Sequence, residues 1–161
     1  MGEDIEPGGD PLVEAVDATV VASRALLGMV ARSVSTALEL VTLPQFRIMV
    51  VIASEGPLRV TTLAQRMGAV PSTFSRTLDR MVANGWLSRT ENPDSRREVL
   101  VHLTDRGRHL VNEVTERRRS EIRAALERLS PDARAGVMAA LQTFGDAAGE
   151  PSAADLLVLG L

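Results

Sequence analysis

Cysteine and lysine are both missing from this chain of 161 residues. Without cysteine there are no disulfides, thiolate zinc sites, iron–sulfur clusters or thiol redox sensors. Aromatics are almost missing too, with only Phe46, Phe74, Phe144 and Trp86. A core must then be made of Leu, Val, Ile, Met and Ala, which favours helices and short strands over an aromatic-rich β-sandwich. Two histidines, His102 and His109, are too few for a histidine-rich metal site. No apolar run approaches the roughly 20 residues of a membrane span. The first ten residues are acidic and rich in Gly and Pro, unlike the basic start of a signal peptide. The expectation is a cytoplasmic protein with no membrane partner and no cofactor.

What is present suits a soluble globular chain, with 45% apolar and 24% charged residues. Every basic side chain apart from histidine is arginine, and the net charge is −3. That total hides an asymmetry. Residues 1–20 hold six acids and no base, whereas residues 56–97 hold seven arginines against Asp79, Glu91 and Asp94, a local excess of +4. A basic patch inside an acidic protein is an address for an anion.

Hydrophobic spacing divides the chain into a tail at 1–11, a long helix at 12–42, a compact unit at 43–104 and further helices at 105–161. From Leu12, spacings of three and four residues carry Val13, Val16, Val20, Ala31, Val34 and Leu38 on one helix. Thr42 and Gln45 form a candidate capping box for a second, largely apolar helix that ends at Glu55-Gly56-Pro57. Leu58-Arg59-Val60 reads as extended. Short helices follow at Thr61–Met67 and from Pro71 or Ser72 to Asn84, with Gly85 as the stop. In the second of these Phe74, Leu78, Met81 and Val82 make one apolar face, while Ser72, Thr73, Ser75, Arg76, Thr77, Asp79 and Arg80 make the other. Strands at Trp86–Thr90 and Glu98–Leu103 flank a polar turn, with Val99, Val101 and Leu103 on one side. Thr104 is the expected N-cap of a helix of about 25 residues. Ser130-Pro131 opens the last helix, with Val137, Leu141 and Phe144 inward. The apolar tail Leu156–Leu161 is expected to pack on a partner.

Two short helices joined by a glycine turn, then a hairpin with arginines at its tip, compose a winged helix-turn-helix. The expected fold is mainly α with a small β-hairpin wing and with N- and C-terminal dimerisation helices. A helix about 10–12 Å across fits the major groove of B-DNA. Ser72 and Thr73 lie where free helix N–H groups meet a phosphate. Arg76 can bridge to a guanine, Arg80 to the backbone, and Arg96 or Arg97 can enter the narrow minor groove. Each residue also has a plainer reading. Ser72, Thr73, Ser75 and Thr77 suit any helix start and polar face, and Arg96 and Arg97 suit any turn. Arg117-Arg118-Arg119 reads as a solvated helix face, and Trp86 as core packing under the wing. No catalytic constellation is visible.

The ordered set Leu43-Pro44-Gln45-Phe46, Thr61-Thr62-Leu63-Ala64-Gln65-Arg66-Met67-Gly68, Leu78-Asp79-Arg80-Met81-Val82-Ala83-Asn84-Gly85-Trp86-Leu87-Ser88-Arg89 and Asn92-Pro93-Asp94-Ser95-Arg96-Arg97 through Thr104 resembles the MarR family of bacterial transcription regulators over roughly residues 43–107. The resemblance implies a homodimer interlocked through its terminal helices and bound to a palindromic operator in double-stranded DNA. It implies repression of nearby genes, relieved by a small aromatic or anionic effector. The wing of the family carries Asp-x-Arg. Arg97 holds the arginine position here, but Ser95 takes that of the aspartate, with Asp94 adjacent. The alternatives are a winged-helix protein–protein interaction module without DNA binding and a small helical enzyme with an interhelical pocket. The first has little use for arginines on both helix and wing, and the second lacks a catalytic set.

Overall fold

Asp10 accepts a hydrogen bond from Leu12 N at 2.9 Å and so caps a helix of 28 residues, α1 (Pro11–Leu38), with Pro11 in its first turn. The helix therefore begins one residue before the expected start, because proline belongs at that position. The structure, a computed structural model, describes residues 10–93 and 95–148, without the side chains of Pro71, Ser72, Ser95, Arg96 and Arg97. The rest of the tail at 1–11 and the apolar segment Leu156–Leu161 lie outside the described residues.

The capping box is formed. Thr42 N donates to Gln45 Oε1 at 2.9 Å and Gln45 N to Thr42 Oγ1 at 3.4 Å, opening α2 (Leu43–Glu55). Phe46, Ile48, Met49, Val50, Val51 and Ile52 are all buried, so α2 runs through the middle of the core. Leu58–Arg59 forms a short strand, β1, and α3 (Val60–Arg66) and α4 (Pro71–Ala83) follow. The hairpin is β2 (Leu87–Asn92) and β3 (Ser95–Leu103). Both strands reach further towards the tip than the polar sequence suggests, with Glu91 opposite Val99 and, after a slip in register, Asn92 opposite Ser95. The sheet has three antiparallel strands in the order β1-β3-β2, with Leu58 opposite Val101 and Arg59 opposite Leu100. The extended reading of Leu58-Arg59-Val60 holds for its first two residues, while Val60 opens α3; the pairing with β3 is what two residues are too few to signal. Val101 and Leu103 are buried as expected, but Val99 is 39% exposed because it lies beyond the helices that cover the sheet.

Thr104 caps α5 (Asp105–Leu126), its Oγ1 accepting from Gly107 N at 3.1 Å. At 22 residues α5 is shorter than the expected 25 or so. It packs antiparallel to α1 along a polar seam. Arg32 pairs with Glu121 at 2.7 Å, Arg118 Nε donates to Ser33 Oγ at 3.4 Å, and Arg117 donates to Thr36 Oγ1. The arginine triplet is thus not simply a solvated face, since two of its members tie α5 to α1. Burial there pushes the Arg118 guanidinium below the usual arginine pKa. The last helix is α6 (Pro131–Ala148), with Ala133 N bonded to Ser130 Oγ at 3.2 Å.

One expectation fails within the single chain. Val137, Leu141 and Phe144 do not point into a core, and no residue of α6 is buried. Phe144 is 56% exposed and Leu141 54%. The N-terminal half of α1 is equally bare, with Leu12 and Val21 above 60%. The core of one protomer takes in only the last turns of α1, from Ser33 to Ala37, and the first half of α5, from Gly107 to Val114, which leaves two apolar helical surfaces at the same end of the molecule. Between α1, α5 and α6 lies an apolar groove of about 380 Å³ lined by Leu26, Met29, Ile122, Val137 and Leu141. No single helix among the described residues is long and apolar enough to cross a membrane.

Candidate nucleic-acid interface

Two glycine turns set the geometry. After α3, Gly68 adopts φ +60°, Gly68 N bonds to Gln65 O at 3.1 Å and Ala69 N to Ala64 O at 3.0 Å. After α4, Gly85 adopts φ +73°, Gly85 N bonds to Val82 O and Trp86 N to Met81 O, each at 2.9 Å. Both are paired six-to-one and five-to-two closures that end a helix and reverse the chain. The first swings α4 across α3. The second drives Trp86 into the core beside Met81, so the wing starts from a buried anchor. Trp86 is therefore a packing residue, as the sequence suggests. Arg106 of α5 stacks on its indole at 3.8 Å from the ring centroid and donates to Asn84 O at 3.0 Å, closing the end of α4.

Alternation along α4 sorts its residues. Phe74, Leu78 and Met81 are buried against the core. Thr73, Arg76, Asp79 and Arg80 are exposed on the opposite side, and Ser75 and Thr77 are half-buried on its flanks. Thr73 Oγ1 donates to Val70 O at 3.0 Å. Val70, at the N-cap, supplies no side-chain acceptor for the first-turn N–H groups. Ser72 lies in this first turn, and Arg96 and Arg97 lie in β3, but their side chains are not among those described.

The arginines of the basic stretch fall into different roles. Arg66 pairs with Glu55 at 3.2 Å, Arg59 with Glu98 at 3.1 Å and Arg89 with Asp79 at 2.7 Å. Those three are neutralised internally. Neither Arg76 nor Arg80, one turn apart on the exposed face, has an ion pair or hydrogen bond among the described residues. Among the arginines of this stretch whose side chains are described, the two unpaired ones therefore both lie on the outer face of α4. Sequence reasoning assigned Asp79 only to a polar face. It is in fact the tie between α4 and β2, a pairing across ten residues that no helical period signals. On the wing, His102 is half-buried with Nε2 at 2.6 Å from Thr90 Oγ1, and His109 is exposed on α5. No group of three or more His, Asp or Glu is placed to hold a metal among the described residues.

The MarR family model matches residues 41–99. A solved structure from Mycobacterium tuberculosis, RV1404, is 39% identical, covers 90% of this chain and 99% of that one, and superimposes with a TM-score of 0.79. Among curated relatives, the HTH-type transcriptional regulator YfiV of Bacillus subtilis is 28% identical over 106 residues, 66% of each chain. The chain thus spans just under two thirds of that relative's length. Streptococcus pneumoniae FabT, solved in complex with DNA, is 14% identical with a TM-score of 0.64, covering 88% of this chain and 99% of that one, which is a likeness of fold alone. With the family model on the helix-turn-helix and first wing strand, and a 39% identical structure over nearly the whole length, the chain belongs to the MarR family of winged helix-turn-helix transcriptional regulators.

Proposed function

We propose that this protein is a homodimeric, sequence-specific DNA-binding regulator that represses nearby genes from a palindromic operator. The observation that carries the reading is the exposed face of α4, where Arg76 and Arg80 have no partner among the described residues while neighbouring arginines are paired. Arg76 is the base reader, bidentate to guanine. Arg80 and the hydroxyls of Ser72, Thr73, Ser75 and Thr77 serve mainly the phosphate backbone. Arg96 and Arg97 extend the interface into the minor groove. FabT bound to DNA supports the same use of this fold.

The bare apolar surfaces of α1 and α6 support the dimer. Burying a Leu, Val or Phe side chain gains about 1.5–3 kcal/mol, and several stand unburied here at one end of the molecule. A two-fold axis through that end holds two copies of α4 apart, and the operator half-sites then lie about 10–10.5 base pairs from centre to centre. An effector, a small aromatic or anionic molecule, relieves repression to the extent that it prefers a dimer with the wrong separation. Members of this family are regulators rather than enzymes, and action on the genome of a bacterial cell implies a cytoplasmic protein.

The test is fluorescence anisotropy with duplexes selected from a random pool, followed by a footprint on the selected sequence. The expected result is a symmetric protected site and an affinity that falls with salt, with about 0.9 counterion released per phosphate neutralised. Recovery of no duplex, even in dilute buffer, overturns the reading in favour of a protein-interaction module.

A further inference from the structure

The ladder of the wing slips near its tip. Glu91 is opposite Val99, yet the next residue, Asn92, is opposite Ser95. Arg96, Arg97 and Glu98 of β3 therefore have no counterpart across the hairpin. This excursion carries both tip arginines, and a segment without its own ladder is held by whatever grips its ends. Glu98 supplies that grip at the inner end. Its Oε2 lies 3.1 Å from Arg59 Nε in an ion pair and accepts from Asn92 Nδ2 at 3.0 Å. Arg59 ends β1 and occupies the N-cap position of α3, and Asn92 ends β2 and is 5% exposed. Arg59 lies opposite Leu100, so Glu98 is its diagonal neighbour on the same face of the sheet. One carboxylate oxygen thus joins both wing strands to the start of the helix that supports α4.

We propose that Glu98 is a positioning residue for DNA binding, fixing the arginine-bearing excursion of the wing to the helix-turn-helix through Arg59 and Asn92. The proposal rests on the DNA-binding reading above. It makes an unusual demand on sign. A carboxylate beside a polyanion repels it, so by charge alone Glu98→Ala strengthens binding. A positioning role requires the reverse.

The experiment uses the full-length chain and a labelled duplex selected by the parent protein from a random pool. Glu98→Ala is expected to weaken binding roughly three- to tenfold at fixed salt. In the free protein it is expected to speed amide hydrogen exchange in the last ladder pairs before the slip, Thr90 with Leu100 and Glu91 with Val99. The charge-swapped variant Arg59→Glu with Glu98→Arg recovers much of both losses relative to either single change. The ion pair is half-exposed and contributes little, while buried Asn92 loses an acceptor, so melting followed by Trp86 fluorescence should fall modestly, and binding read well below the transition separates positioning from unfolding. Binding equal to or tighter than that of the parent, exchange unchanged in the Thr90–Leu100 and Glu91–Val99 pairs, or a swap no better than the single variants overturns the proposal. If the parent selects no duplex, the regulator reading itself falls, and the exchange measurement still decides whether Glu98 holds the excursion.

Discussion

Gly107 sits in the first turn of α5, where alanine is ordinarily the better residue by about 0.5–1 kcal/mol. In this fold the substitution should do the opposite. A Cβ at residue 107 would overlap the carbonyl oxygen of Trp86 and press on Leu103 Cδ2 at 3.0 Å. The Trp86 carbonyl cannot readily withdraw. It accepts from Thr104 N at 3.2 Å, and the Thr104 hydroxyl lies 3.1 Å from it while donating to Gly85 O at 2.7 Å. Trp86 itself is buried and stacked under Arg106. Relief must come from lifting α5 off the end of α4, which breaks the cap at Thr104.

Overpacking of this kind costs about 1–3 kcal/mol, and a broken cap bond about 1 kcal/mol more. Setting the helix-propensity gain against these leaves Gly107→Ala destabilising by about 2–3 kcal/mol. Urea unfolding followed by the fluorescence of Trp86, the single tryptophan, measures it directly. For a urea dependence of about 1–3 kcal/mol/M the midpoint should fall by roughly 1–2 M, with parent and variant compared at one protomer concentration. A midpoint equal to or above that of the parent would show that the close approach of α5 to Trp86 is not real.

Arg76→Ala should cost about 1–3 kcal/mol of binding to the selected duplex and flatten the preference among point-substituted duplexes; an unchanged preference in an anisotropy competition refutes base reading. Arg96→Ala and Arg97→Ala should each weaken binding across all sequences. Each should also lower the slope of log affinity against log salt by about 1 for every phosphate left unneutralised, so a slope that stays put for both removes the tip from the interface. Phe144→Glu on the bare face of α6 should shift sedimentation from dimer to monomer at micromolar concentration and abolish binding to the full site. A variant that stays dimeric places the two-fold axis elsewhere.

Much of the fold was readable because local chemistry agreed with tertiary packing. Thr42 with Gln45, Thr104 before Asp105 and Ser130 before Pro131 are caps whose partners lie three residues away, and all three form. Phe74, Leu78 and Met81 share one helical face, and that face is buried. The misreadings share a cause. Val137, Leu141 and Phe144 have the spacing of a core face, but period alone does not say whether the core belongs to the same chain or to another. Val99 alternates correctly with Val101 and Leu103, yet alternation continues past the point where the covering helices stop.

The candidate site divides along the same line. Arg76 and Arg80 were legible because an outward face on a short helix after a glycine turn is a local property. The groups that hold that face were not. Asp79 meets Arg89, Arg106 meets Trp86 and Asn84, and Glu98 meets Arg59 across 39 positions of chain. Such pairs depend on how the hairpin folds back over α3 and α4, so neither partner's own segment announces them. Arginine alone among the strong cations here also blurs the signal, since internal braces and anion-binding groups are built from one residue type. The way to separate them is electrostatic. An arginine with a carboxylate within 3.2 Å has its charge answered inside the fold, while an unanswered one on an exposed face retains its full attraction for an anion. By that criterion α4 presents two such charges among the described residues, and the ion pairs around it hold the helix that carries them.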